Sequence, residues 1–232
     1  MDSDSDLDLD FLRDEQKWLA QQVILTEELR PFQPKEVLFG VDIQYVGEEA
    51  FCAISAYQFN GKHLDTFVLK TQTGMEYRSG FFCFREGPPV LRTIRKILAH
   101  QNLIPQLIII DGHGIAHPRK LGIASWIGVK TNIPTIGVAK RPLLKYDGIL
   151  AMERGATLPI FREGKEVGSV LRTQADIKPV YVSPGYKMSL SQSNKIILDL
   201  SPKYRISNPI RIADQMARAF AKGERLPNVT VL

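Results

Sequence analysis

Two aspartates stand where this chain is otherwise most apolar. Asp42 falls in the run Val37 to Tyr45, in which Val37, Phe39, Val41, Ile43 and Tyr45 alternate. A strand there puts the Asp42 side chain on the face opposite Val41 and Ile43. Asp111 ends the wholly apolar run Leu107–Ile110. A carboxylate in a strand expected to be central costs free energy unless it is paired or bound to a cation. In open α/β sheets, sites form where strands reach their carboxyl ends. Glu86 stands just before the first turn of an expected helix, and Asp214 lies inside the C-terminal one. If the strands of Asp42 and Asp111 are neighbours, these acids converge, and Mg²⁺ or Mn²⁺ relieves their repulsion by accepting hard oxygen ligands. Such a cluster suits phosphodiester hydrolysis, because the ion orients a water and stabilises charge on the phosphate. Taken singly, each acid is more often a cap, an ion-pair partner or a surface charge.

The segment Asp111-Gly112-His113-Gly114-Ile115-Ala116-His117-Pro118-Arg119 follows directly from the second aspartate. Its two glycines allow close backbone approach by a ligand, and two His and one Arg supply donors. An ordinary tight loop explains a bare Gly-x-Gly equally well.

The elements that must position these groups read as an α/β layout. Apolar residues recur at helical spacing from about Phe11 to Leu29, and Pro31 and Pro34 stop that helix. Strands are expected over Val37–Tyr45, Phe51–Phe59 and Lys62–Leu69, the last two joined through Asn60-Gly61, a strong hairpin signal. Val90, Leu91, Ile94, Ile97 and Leu98 mark an amphipathic helix with Pro88-Pro89 in its first turn. Leu107–Ile110 reads as a strand covered on both faces, as in a parallel sheet. A helix near Leu121–Thr131 and a strand around Thr135–Val138 follow. Then come strands near Leu158–Phe161, Glu166–Arg172 and Val180–Val182, and helices near Leu190–Leu200 and Ile210–Lys222. The expected architecture is a ribonuclease H-like mixed sheet with antiparallel opening strands, flanked by helices. One catalytic domain is expected over residues 11–232, after an acidic, frayed stretch at 1–10.

Charge narrows the partners. The first ten residues hold five Asp and no Lys or Arg, and beyond them 30 basic residues face 20 acidic ones. A body this basic suits a polyanion such as nucleic acid. Cys52 and Cys83 are the only cysteines, which gives neither a disulfide framework nor a CxxC metal pair. No signal peptide or membrane-length apolar run is visible, so a cytoplasmic monomer with no membrane partner is expected.

The loop from Asp111 to Arg119, running on through Lys120-Leu121-Gly122-Ile123-Ala124 to Pro134-Thr135-Ile136-Gly137-Val138-Ala139-Lys140, closely resembles the endonuclease V family. Gly40-Val41-Asp42 is similar to that family's first metal-ligand strand, and Gly80 through Phe84-Arg85-Glu86 to its second acidic motif. Val182-Ser183-Pro184-Gly185 matches a further family segment. Pro209, Arg211, Ala213 and Asp214 resemble the helix that offers a fourth acidic or histidine group. The resemblance implies cleavage of the second phosphodiester bond 3′ to inosine, in DNA or RNA, in nucleic-acid repair, with Mg²⁺ or Mn²⁺ as cofactor. It implies Asp42, Asp111 and Glu86 as metal ligands, with Asp214 serving a second metal or the attacking water. It makes Lys140 a fixed cation at the scissile phosphate or the water.

The same resemblance makes Tyr77 an aromatic wedge that fills the gap left by the displaced base. Here the chain departs from a common family pattern, Pro-Tyr-Ile-Pro, and has Glu76-Tyr77-Arg78-Ser79 instead. Gly80, Phe82, Gly112, Gly114 and Ile115 are candidates to line a hypoxanthine pocket, with His117 and Arg119 touching the nucleic-acid backbone or bracing the loop. Trp126 is assigned to packing. Two other readings stay open: another ribonuclease H-like, structure-selective nuclease, and a non-catalytic reader of deaminated bases.

Overall fold

In the computed structural model the described residues are 3–26, 30–73, 75–76, 78–101, 103–224 and 228–232, the first six of them by backbone alone. The elements in chain order are α1 (Ser3–Ala20), β1 (Val37–Val46), β2 (Glu49–Gln58), β3 (His63–Gln72), α2 (Phe82–His100), β4 (Leu107–Asp111) and α3 (Ile123–Thr131). They continue as β5 (Thr135–Ala139), β6 (Thr157–Arg162), β7 (Lys165–Leu171), β8 (Val180–Tyr186), α4 (Leu190–Asp199), α5 (Asn208–Ala221) and β9 (Thr230–Val231). The strands form one mixed sheet in the order β6-β7-β8-β5-β4-β1-β2-β3-β9. The opening strands pair antiparallel, while β4 runs parallel to β1 and β5 parallel to β4. This is the α/β architecture expected from the apolar patterning, with β1 in the interior of the sheet.

Alternation within β1 and β4 assigns the two faces. Phe39, Val41 and Ile43 join Ile108 and Ile110 in a core closed by Ile94 and Ile97 of α2 and Ile127 of α3. Leu38, Leu107 and Ile109 face the other way, toward Ile197 of α4 and Ile210 of α5. α5 also packs Ala213 and Ala217 on Ala53 and Val68, a small-on-small contact that brings the helix close to the sheet. Gly40 takes this closest: a Cβ there would lie 2.4 Å from the backbone carbon of Pro209. Ser55 Oγ donates to the Pro209 carbonyl at 2.6 Å, fixing the start of α5 over the middle of the sheet.

Three boundaries differ from expectation. α1 starts inside the acidic stretch, at Ser3, and stops at Ala20. Beyond it, Val23 still packs on the core, but from irregular chain whose Ile24 carbonyl accepts from Lys187 N–H at 2.7 Å. Apolar residues at helical spacing mark no helix there, for Val23 is half-buried while Ile24 and Leu25 are exposed; the end of the expected helix, at Leu29, lies outside the described residues. α2 begins at Phe82, six residues before the prolines, so Pro88 and Pro89 sit inside it and Glu86 belongs to the helix. Two missing N–H groups leave the Phe84 and Arg85 carbonyls without their usual helical donors but do not end the helix. The two-residue strand β9, parallel to β3, has no counterpart in the sequence reading. Among the described residues no helix is long and apolar enough to cross a membrane.

Candidate active site

In the parallel pairing of β1 with β4, Val41 lies opposite Ile110. The next residue of each strand is an aspartate, so Asp42 and Asp111 emerge side by side, both toward α5. α5 supplies the third acid: one ligand oxygen each from Asp42, Asp111 and Asp214 lies within 4.8 Å of the others. Asp42 is 8% exposed. Its Oδ1 accepts the Ile43 N–H at 2.8 Å, while Oδ2 is buried with no partner among the described residues. Lys140 directly follows β5, and its Nζ lies 2.5 Å from Asp111 Oδ2 and 3.4 Å from Asp214 Oδ1. Arg218, one turn along α5, grips Asp214 with two parallel bonds of 2.9 Å from Nε and Nη2.

The electrostatics follow from this crowding. Burial, then Asp111 and Asp214, hold the Asp42 carboxyl well above the usual range. Burial and Asp42 do the same to Glu86. Asp111 is raised by burial against the pull of Lys140. Burial pushes Asp214 up as well, but Arg218 and Lys140 outweigh it and its pKa falls. Lys140 keeps its charge, because the three aspartates overcome the cost of its burial. Carboxylates packed against one another with one oxygen left unbonded are an arrangement that a hard cation completes.

A cavity of about 460 Å³ opens beside the acids. Glu86 lines it from α2, so it faces the site without joining the three-aspartate cluster. Gly80, Phe82 and Gly112, candidates for the base pocket, line it, and so does His117, which was expected to touch the nucleic-acid backbone or brace the loop. Gly80 has φ +81°, a conformation that favours glycine, and a Cβ there would lie 2.6 Å from Arg119 Nη2.

Other candidates are placed elsewhere. Gly114 presses backbone to backbone on β8: its N–H donates to Ser183 Oγ at 2.8 Å, and a Cβ would lie 2.0 Å from the Pro184 carbonyl oxygen. Ile115 is packed with Ala116, Ile160, Val167 and Val170, away from the cavity. A glycine-rich loop must bury one of its sides, and here that side is the Gly114–Ile115 one. Arg119 is used as a brace: Nη2 donates to the Gly80 carbonyl at 2.6 Å, Nε to Gln16 Oε1, and the guanidinium lies 4.4 Å from the Phe81 ring centre. Trp126 is core, as assigned. Tyr77 lies outside the described residues.

Several residues were not found by sequence reasoning. Gly122, Ile123 and the Arg141–Leu143 segment line the cavity, beside His113, one of the two donor histidines of the glycine-rich loop. Fully buried Gln16 ties α1 to the carbonyls of Gly80 and Leu121 at 3.1 and 2.8 Å. Of these omissions and Arg218, only Arg218 had a readable signal, being four residues after Asp214 on one helix.

Comparison with known proteins agrees with this geometry. A model of the family described as Endonuclease V matches residues 17–215. An Endonuclease V of Trichormus variabilis is 40% identical over 205 residues, covering 87% of this chain and 90% of the relative. The crystal structure of the Streptomyces avermitilis Endonuclease V superposes with a TM-score of 0.82 at 34% identity, over 92% of this chain and 93% of that one. Ciona intestinalis Endonuclease V, solved in complex with a 24mer DNA containing an inosine followed by a ribo-adenosine, superposes with a TM-score of 0.81 at 26% identity, over 93% of this chain and 98% of that one. The chain belongs to the endonuclease V family.

Proposed function

We propose that this endonuclease uses Mg²⁺, or Mn²⁺ in its place, to recognise hypoxanthine in inosine-containing DNA. It hydrolyses the second phosphodiester bond on the 3′ side, leaving a 3′-hydroxyl and a 5′-phosphate, as a step in repair of deaminated adenine. The observation that carries this reading is the unpartnered, buried Asp42 Oδ2 within a cluster of three aspartates. The donors are all hard carboxylate oxygens, the set preferred by these two ions. Asp42 and Asp111 would hold the ion, with Asp214 beside them and Glu86 reaching it directly or through water. A divalent ion there supplies Lewis-acid polarisation of the phosphate and makes a water easier to deprotonate.

The chain's own groups do the rest. Lys140, held between Asp111 and Asp214, keeps a positive charge where the phosphate gains negative charge on attack. Arg218 fixes Asp214 so that its carboxylate is not free to rotate away from the cluster. Gly80, Phe82, Gly112 and His117 offer a cavity next to the acids, in which backbone groups beside glycine can read a base edge without side-chain bulk. Tyr77 is proposed as the wedge in the helix that the base leaves.

The test is a nicking assay on matched strands with and without one inosine, as DNA and as RNA, single- and double-stranded, with Mg²⁺, Mn²⁺ or EDTA. We expect inosine-dependent nicking one nucleotide beyond the lesion, lost in EDTA and restored by either ion. Equal cleavage of the inosine-free strands would refute the assignment.

A further inference from the structure

α2 and α3 lie side by side on the face of the sheet away from α5, and their outward sides are basic. Over Phe82–His100 and Ile123–Thr131 the only acid is Glu86, which is buried at the active site. Arg92, Arg95 and His100 of α2 and Lys130 of α3 are exposed, and Lys96 is half-buried. Among the described residues none of Arg92, Arg95 and Lys96 has an ion-pair partner. Uncompensated cations on adjacent helices repel one another, a cost that a polyanion removes.

Arg92, Arg95, Lys96 and His100 of α2 line a groove of about 400 Å³ with Trp126 of α3. Gly87 makes the groove possible: a Cβ there would meet Trp126 Cε3 at 2.7 Å, so its absence lets the indole lie against α2. Trp126 is 6% exposed, and its Nε1–H finds no acceptor among the described residues. The cations of Arg92, Arg95 and Lys96, with no acid in the lining, suit this groove to an oxyanion.

Position selects the occupant. Glu86 faces the active-site cavity, and Arg95 follows nine residues later on the same helix, roughly 14 Å along its axis. For a duplex arm lying along α2, at about 3.4 Å of rise per base pair, that span corresponds to about 4 base pairs. We infer that the α2–α3 groove is a second phosphate-backbone site, which grips one duplex arm of the inosine-containing substrate about 4 base pairs from the lesion. This rests on the proposed function, since it presupposes a nucleic acid in the cavity.

The test is the paired variant Arg95→Gln/Lys96→Gln, which keeps the Arg92 Nη1 bond to Thr71 Oγ1. Dissociation constants are measured in EDTA against NaCl concentration, for an inosine duplex with arms of about 15 base pairs and a hairpin with arms of about 3. Thermal unfolding checks that the fold is intact. For the long duplex the slope of log K against log salt should become shallower by about 2, with binding weakened roughly tenfold at moderate salt. The loss should be confined to the long substrate. An unchanged slope and affinity on the long duplex, repeated with Arg95→Glu/Lys96→Glu, overturns the inference, as does an equal loss on both substrates. Failure of the wild-type protein to prefer inosine would instead remove the proposed function.

Discussion

Asp42 has no way out of the cluster. It is buried on an interior strand, so it cannot swing into water as Asp214 would without Arg218. Replacing it with Asn keeps the shape and removes one of the repelling charges. Without metal, Asp42→Asn should therefore unfold at the same or a higher temperature than wild type. In wild type an added divalent ion should raise the unfolding temperature, because ligand binding to the folded state alone stabilises it. In Asp42→Asn that rise should disappear, and nicking should fall by about 10³-fold or more. Differential scanning fluorimetry with Mg²⁺ and with EDTA reads the first effect, and single-turnover nicking reads the second. A full Mg²⁺-induced shift in the variant would show that Asp42 is not a ligand. Asp42 was legible because a charge in an alternating apolar strand is conspicuous. Its unbonded Oδ2 was not, since that depends on where α5 lands.

Among the elements, α5 decides whether the site exists, for it carries Asp214 and Arg218 to strands that lie far earlier in the chain, with Asp42 in β1 and Asp111 in β4. Gly40 sets its height above the sheet. Gly40→Ala would drive a methyl to 2.4 Å from the Pro209 backbone, which has no rotamer to move aside, so the helix must lift. Overpacking of this kind costs about 1–3 kcal/mol. The expected result is a lower unfolding temperature together with slower nicking at a temperature where the variant is still fully folded. Unchanged rate and stability would mean that α5 is not held where the structure puts it. Strand and helix identity along most of the chain could be read from periodicity, since β1, β4 and β5 are apolar on faces that the fold does bury. Reading failed where apolar residues kept helical spacing past the helix end, as after Ala20, and where prolines appeared to mark a helix start but sit inside α2. The glycine-rich loop stands out in the sequence as a candidate for the site, yet only folding against β8 shows that Gly114 and Ile115 are its buried side and Gly112 its cavity side.

For the whole molecule, acid adds charge to a body that is already basic, and two histidines have no room to take it. His117 accepts the Arg119 N–H on Nδ1 at 3.1 Å, which places its proton on Nε2. Burial, then the Arg119 cation and His113, push its pKa down to about 3. Burial takes His113 to about 4. Both folded values lie below the unfolded value of about 6.5, so their contribution to stability is present above that pH and is lost as pH falls toward the folded values. At about pH 5 the unfolded chain has gained a proton that folded His117 refuses, a cost of about 2 kcal/mol. Asp42, Glu86 and Asp111 act in the opposite sense, because their folded pKa values are raised and acid relieves their repulsion. The total pH dependence therefore mixes signs, but a difference between variants isolates one group. His117→Asn keeps an acceptor near Nδ1 and removes the titration. Between about pH 7.5 and about pH 5 in EDTA, wild type should lose about 4–8 °C more in unfolding temperature than this variant. Parallel shifts in the two proteins would mean that His117 is not held neutral, and the tight packing assigned to the loop between Asp111 and Arg119 would have to be given up with it.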